Sequence, residues 1–177
     1  MRLLVVIAVV CVAAARPASA ATVDPKSLVL AQSDVPRGFR LDPAETGLRS
    51  NELEAKESLQ TRVKFALWRR VTGYQARFRR GSAVVEARAD VFRGADGARK
   101  LLEWVDLEAR KSGTSGQQRA PMRIGAGGWI YWAGGLYHLV AWRHGRVFAG
   151  VAGAQIARAR LVALARVQQR RIAAALR

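Results

Sequence analysis

The pattern of apolar and polar residues has a period of two from Tyr74 to Phe92. Every second residue is apolar and most residues between them are charged, on both sides of a turn at Arg80-Gly81. This alternation predicts an antiparallel hairpin that packs one face on a core and leaves the other in water. The predicted core face holds Tyr74, Ala76, Phe78, Ala83, Val85, Ala87, Ala89 and Val91.

Apolar residues three and four positions apart predict two amphipathic helices, one from Asp96 to Lys111 and one from Gln155 to Leu176. Asp24 followed by Pro25 predicts the start of a shorter helix. A fourth helix is expected to begin near Asn51 and end near Gln60.

The segment between the two long helices predicts a meander of strands with turns at Gly134-Gly135 and His144-Gly145. Both faces of this meander are apolar. If both turns have two residues, one face carries four aromatic side chains, and this is the candidate ligand surface: Trp129, Tyr131, His138 and Trp142. The alternative is that residues 21–70 fold over that face and bury it as core.

The predicted elements follow the order helix, helix, two strands, helix, three or four strands, helix. No repeat or linker divides them. We therefore expect a single α+β domain over residues 21–177, with an antiparallel sheet and helices packed on one face as a two-layer sandwich.

Residues 1–20 have the three parts of a secretory signal peptide. Arg2 supplies the positive charge, residues 3–15 are apolar, and Ala18-Ser19-Ala20 is a small-x-small cleavage site. The chain is therefore expected to be secreted or extracytoplasmic, in the cell envelope. The single cysteine, Cys11, lies inside this segment, so the mature chain is expected to have no thiol.

Cleavage after Ala20 is a testable expectation of this pattern. Intact-mass measurement of the exported protein should give a chain that begins at Ala21. A retained Cys11, free or lipidated, would contradict it.

The formal net charge is +17, and it is unevenly distributed. The last acidic residue is Glu108, and twelve Lys or Arg residues follow it. This favours an anionic envelope polymer, an acidic membrane surface or an acidic protein as partner, although biased composition alone is an alternative source of the charge. The candidate anion-binding residues are Arg143, Arg146, Arg160, Arg166, Arg170 and Arg171.

The sequence carries no motif that specifies a reaction, a cofactor or a metal, and nothing that points to nucleic acid in particular. The only histidines are His138 and His144. We therefore expect a non-catalytic binding or accessory domain. The alternative is a small extracytoplasmic hydrolase that combines His138 with carboxylates of the first half.

Four short segments, in this order, resemble a loosely defined group of small exported proteins of high-GC Gram-positive and related bacteria. They are residues 33–39 (SDVPRGF), 68–74 (WRRVTGY), 91–98 (VFRGADGA) and 141–147 (AWRHGRV). The resemblance implies an exported protein. It implies no activity or site residues, because none is established for the group.

Overall fold

The structure is a computed structural model that describes residues 23–111, 117–134 and 137–177. The predicted signal peptide lies outside these residues. Among the helices that are described, none combines the length and the apolar character needed to cross a membrane.

Eight strands form one antiparallel sheet in the spatial order β1-β3-β4-β8-β7-β6-β5, and β2 also pairs with β3. The antiparallel sheet and the α+β class predicted from the sequence are confirmed. The strands are β1 (Arg40–Leu41), β2 (Gly47–Leu48), β3 (Arg70–Arg80), β4 (Ala83–Phe92), β5 (Gln118–Met122), β6 (Gly128–Ala133), β7 (Tyr137–His144) and β8 (Val147–Ala154).

The helices are α1 (Asn51–Glu57), α2 (Leu59–Leu67), α3 (Ala95–Lys111) and α4 (Arg158–Ala175). Helix α2 was not predicted, because the expected helix was ended near Gln60. The hydroxyl of Ser58 accepts a hydrogen bond from the Thr61 amide and caps the start of α2. A 3₁₀ turn, Pro25–Leu28, begins where the Asp24-Pro25 pair predicted a helix.

Helices lie on both faces of the sheet, which differs from the expected packing on one face. Helix α4 and the 3₁₀ turn cover the face that carries Val85, Val140 and Trp142. Helix α3, together with Phe65 of α2, covers the opposite face. The physical reason is that both faces of the meander formed by β5 to β8 are apolar, so a layer of helices must pack on each face to bury it.

The register between β6 and β7 differs by one residue from the register that a two-residue turn would give. Ala133 pairs with Tyr137, and Trp132 pairs with His138. A shift of one residue moves every side chain of a strand to the other face. The candidate ligand surface predicted from the sequence is therefore divided between the two faces of the sheet.

The charged face of the β3–β4 hairpin is largely covered, where the alternation predicted a face in water. Asp90 is 0% exposed and Gln75 is 7% exposed. Helix α1 and strand β2 lie beside this part of β3, and Glu54 of α1 reaches Arg88 of β4 with an Nη2–Oε1 distance of 3.1 Å. Asp90, Arg88 and Glu54 therefore pair with one another in this covered part of the face.

The two edges of the sheet differ. The outer edge of β3 pairs with the two-residue strands β1 and β2. At the other edge lies β5, whose middle contains Arg119, Ala120 and Pro121.

Candidate functional site

Helix α3 runs across the second face of the sheet and has a cavity on each side. On the side of β5 and β6 is a cavity of about 570 Å³, which we call the basic groove. It is lined by Arg99, Leu102, Glu103, Asp106, Arg110, Pro121, Met122, Arg123, Ala126, Gly127, Gly128, Trp129 and Arg143.

A buried carboxylate, that of Asp106, forms the inner wall of the basic groove. Its Oδ1 lies 2.7 Å from Arg119 Nη1, and its Oδ2 lies 2.9 Å from Arg110 Nη2. The Tyr131 hydroxyl donates to Oδ1 over 3.1 Å. Burial, with the Asp106 charge beside it, raises the pKa of Tyr131, so the phenol stays protonated as a donor. Asp106 is therefore fully engaged within the protein.

Two arginines of the basic groove are available to a ligand. Within the described residues, the guanidinium groups of Arg123 and Arg143 form no ion pair or hydrogen bond. By contrast, Arg99 is held by Asp96 and by Glu103, the latter over 2.6 Å. An anion entering the groove would meet two cations that have no competing carboxylate.

The turn from Gly125 to Gly128 brings the backbone close to Arg143. Gly125 has φ +55°, and a Cβ atom there would lie 2.3 Å from the Arg143 carbonyl oxygen. The Ala126 amide donates to that same oxygen over 2.8 Å. Glycine is therefore required for this close approach, which fixes the backbone that carries Arg143.

Trp129 provides an aromatic wall in the same groove. The Arg119 guanidinium lies over its ring, 4.3 Å from the ring centroid. This cation–π contact holds the indole against β5. Trp129 and Arg143, which were predicted as parts of two separate sites, thus lie in one cavity.

The other three members of the candidate ligand surface lie elsewhere. Tyr131 is buried beneath α3. Trp142 is 0% exposed on the opposite face, where its Nε1 donates to Gln169 of α4 over 2.7 Å. His138 is buried on that same face. For these three residues the structure agrees with the alternative prediction, in which the aromatic side chains are buried as core. The elements that cover them are α3 and α4.

The other candidate anion-binding arginines do not form one site. Arg160, Arg166 and Arg170 are exposed along α4. Arg171 pairs with Asp34, with an Nη2–Oδ2 distance of 2.7 Å. Arg146 lines a separate cavity near Val71 and Val91.

His138 is not brought together with the carboxylates of the first half. Its side chain lies on the α4 side of the sheet, whereas Asp90 and Asp106 lie on the α3 side. Burial and the nearby Arg158 lower the pKa of His138. No group of three metal-binding side chains occurs in the described ranges of the chain. The geometry gives no support to the hydrolase alternative.

A buried ion network near α1 was not predicted from the sequence. Arg70 Nε donates to Asp90 Oδ1 over 2.9 Å, and Arg88 Nε donates to Asp90 Oδ2 over 2.8 Å. Burial alone would raise the pKa of Asp90, but Arg88 and Arg70 more than offset this and lower it. The only signal in the sequence was a charged face on a long hairpin, which is also typical of a solvated surface.

The fold is thus an eight-stranded antiparallel sheet covered by helices on both faces. Among solved structures, the chain is similar to the extracellular domain of PknH from Mycobacterium tuberculosis, with a TM-score of 0.54 and 10% sequence identity. The similarity covers 84% of this chain and 94% of that domain, and it concerns the fold alone. No family model matches the chain, and no curated protein matches it significantly.

Proposed function

We propose that this protein is an exported, non-catalytic binding domain that recognises an anionic polymer of the cell envelope through the basic groove. The ligand class is a chain that combines negative charges with sugar rings. Its anionic groups bind Arg123 and Arg143, and a ring packs on Trp129.

The observation that carries this proposal is the position of two uncompensated arginines beside an aromatic ring. Arg123, Arg143 and Trp129 line one cavity of about 570 Å³. Guanidinium groups form paired hydrogen bonds with carboxylate and phosphate oxygens, and an indole face stacks on a flat apolar surface. Both features serve binding, and neither supplies a nucleophile or a general base.

Export is supported by the signal-peptide pattern of residues 1–20 and by the similarity in fold to an extracellular domain. The excess of positive charge after Glu108 would raise the local concentration of a polyanion around the groove. A membrane surface is the less favoured anionic partner for this groove, because the two arginines lie in a cavity rather than on a flat face.

The test measures the binding of oligogalacturonate, a sugar chain with one carboxylate per ring, by tryptophan fluorescence or calorimetry. The double variant Arg123→Gln/Arg143→Gln should bind at least about ten-fold more weakly, because each lost charged hydrogen bond contributes roughly 1.5 kcal/mol or more. The salt dependence of the remaining binding should also become flatter.

A matched control removes the same charge from a different place. Arg166 and Arg170 are exposed on α4 and do not line the basic groove. Arg166→Gln/Arg170→Gln should change the affinity less than about three-fold. If both double variants weaken binding equally, the attraction is generic to a cationic protein and the proposal fails.

A second comparison isolates the ring of Trp129. Trp129→Leu should weaken oligogalacturonate binding but leave the affinity for oligoglutamate of equal charge unchanged, because oligoglutamate has no ring to stack. An equal loss of affinity for both polymers would show that the groove does not recognise a sugar ring.

A further inference from the structure

The cavity on the other side of α3 has a different chemistry. It has a volume of about 280 Å³ and lies between α1, α2, α3 and the sheet, and we call it the apolar cleft. It is lined by Glu54, Thr61, Phe65, Glu86, Arg88, Asp90, Leu101, Trp104, Val105, Tyr137, Leu139, Phe148, Gly150 and Ala152.

The polar wall of the apolar cleft is almost fully neutralised from within. Glu54 pairs with Arg49 over 2.8 Å and with Arg88 over 3.1 Å. Asp90 is held by Arg88 and Arg70, so these carboxylates are already balanced by buried guanidinium groups. An anionic ligand would therefore enter the cleft without a free cation to pair with, which is costly in a low-dielectric site.

Among the polar groups of the cleft, the carboxylate of Glu86 and the buried Nε1 of Trp104 both lack a hydrogen-bond partner in the described part of the chain. The carboxylate of Glu86 forms no ion pair or hydrogen bond there. It lies near Tyr137, whose pKa is raised by burial and by the Glu86 charge. Glu86 is thus positioned to accept a hydrogen bond from a ligand.

The room in the cleft comes from two small residues of β8. Gly150 and Ala152 lie opposite Arg88 and Glu86 on β4, and the side chains of α2 and α3 do not fill the space above them. A Cβ atom on Gly150 would meet only ordinary contacts, the nearest at 3.7 Å. The backbone therefore does not require glycine at this position, and the missing side chain leaves space.

We infer that the apolar cleft is a second binding site, for an uncharged molecule with an apolar body of about two fused rings and one hydrogen-bond donor. A cavity of about 150 Å³ accommodates benzene, and this cleft has nearly twice that volume at about 280 Å³. The rings contact Phe65, Trp104 and Phe148, and the donor binds Glu86. This site does not depend on the anionic-polymer proposal.

The probe for this site is 1-naphthylamine, an uncharged fluorescent dye with two fused rings and an amine donor, whose emission depends on the polarity of its surroundings. Wild type should bind it saturably with one site per chain. Gly150→Leu fills the cleft and should weaken binding at least ten-fold without lowering the melting temperature. If that variant does not melt cooperatively, Ala152→Val is the substitute with the same expected loss.

A control variant separates the cleft from an exposed apolar surface. Leu59 and Leu67 are each 72% exposed on the outer side of α2. Leu59→Gln/Leu67→Gln should change the affinity less than two-fold. Loss of binding in this variant but not in Gly150→Leu would place the dye on α2 and overturn the inference, as would a wild type that does not bind the dye.

Competition against the dye tests the role of Glu86. 1-Naphthol, which carries a hydrogen-bond donor, should displace the dye at an about five- to ten-fold lower concentration than 1-methylnaphthalene, which carries none. Glu86→Leu should abolish this difference, whereas Arg123→Gln/Arg143→Gln should leave it intact. A difference that persists in Glu86→Leu would show that Glu86 is not the acceptor.

Discussion

Replacing Asp90 by asparagine is expected to lower the free energy of unfolding by about 3–5 kcal/mol. The Asp90 carboxylate and the Arg70 guanidinium that it pairs with are both 0% exposed. Asparagine keeps the shape but removes the negative charge, so Arg70 would remain as a buried cation without compensation. Arg88 would lose one of its two carboxylate partners and keep the other, Glu54.

Urea denaturation of Asp90→Asn against wild type measures this effect, and Asp96→Asn is the matched control. Asp96 also pairs with two cations, Arg99 and Lys100, but its side chain is 60% exposed. An exposed ion pair contributes about 0–1 kcal/mol. Equal losses in the two variants would mean that the network around Asp90 is solvated rather than buried.

The pH dependence gives a second readout of the same network. The pKa of Asp90 is lowered from its ordinary value of 3.8, so its contribution is fully present above that value. The contribution is lost as the pH falls through the lower pKa of the folded state. The gap between wild type and Asp90→Asn should therefore be constant near neutral pH and narrow below about pH 4.

Gly97→Ala is expected to destabilise the protein by about 1–3 kcal/mol, although alanine is the better helix former by about 1 kcal/mol. Gly97 lies in the first turn of α3, against the sheet. A Cβ atom there would lie 2.3 Å from the Trp68 carbonyl oxygen and 2.5 Å from the Phe92 ring. The backbone oxygen cannot rotate away, so the start of α3 must shift.

Thermal unfolding compares this variant with Gly94→Ala, where a Cβ atom would meet nothing within 4 Å. The Gly94 variant should stay within about 0.5 kcal/mol of wild type. Because α3 separates the basic groove from the apolar cleft, Gly97→Ala should also weaken both oligogalacturonate and dye binding. Equal stability of the two variants would show that α3 does not depend on this close contact.

The strands and helices in which apolar residues recur at a regular spacing were predictable, because that spacing alone determines the type of element. The alternation from Tyr74 to Phe92 predicted β3 and β4, and the helical stripe after Asp96 predicted α3. The Gly145 turn was placed one residue early, since His144 pairs with Val147. This error does not change which side chains share a face of the sheet. The pairing of β7 with β8 shifts by two residues in total, and side chains alternate between the faces with a period of two.

The candidate site was predictable only in part, because its geometry depends on one loop. The one-residue shift in register between β6 and β7 places His138 and Trp142 on the other face of the sheet from Trp129, and a pair of glycines in the sequence does not determine which register forms. Trp129 and Arg143 were identified, whereas Arg123 was not. Helix α2 has apolar residues at Leu59, Val63 and Leu67, a helical spacing that lies beyond the end expected near Gln60, and in the structure these three side chains are exposed.

The two edges of the sheet have a consequence for how the protein behaves at high concentration. A long, unpaired edge strand is a template for pairing with other chains. Here the β3 edge is partly occupied by β1 and β2, while β5 has five residues and carries Pro121, which has no amide hydrogen to donate. Growth of the sheet by addition of strands from other molecules is therefore disfavoured at both edges, so the chain is protected from fibrillar aggregation by its own topology.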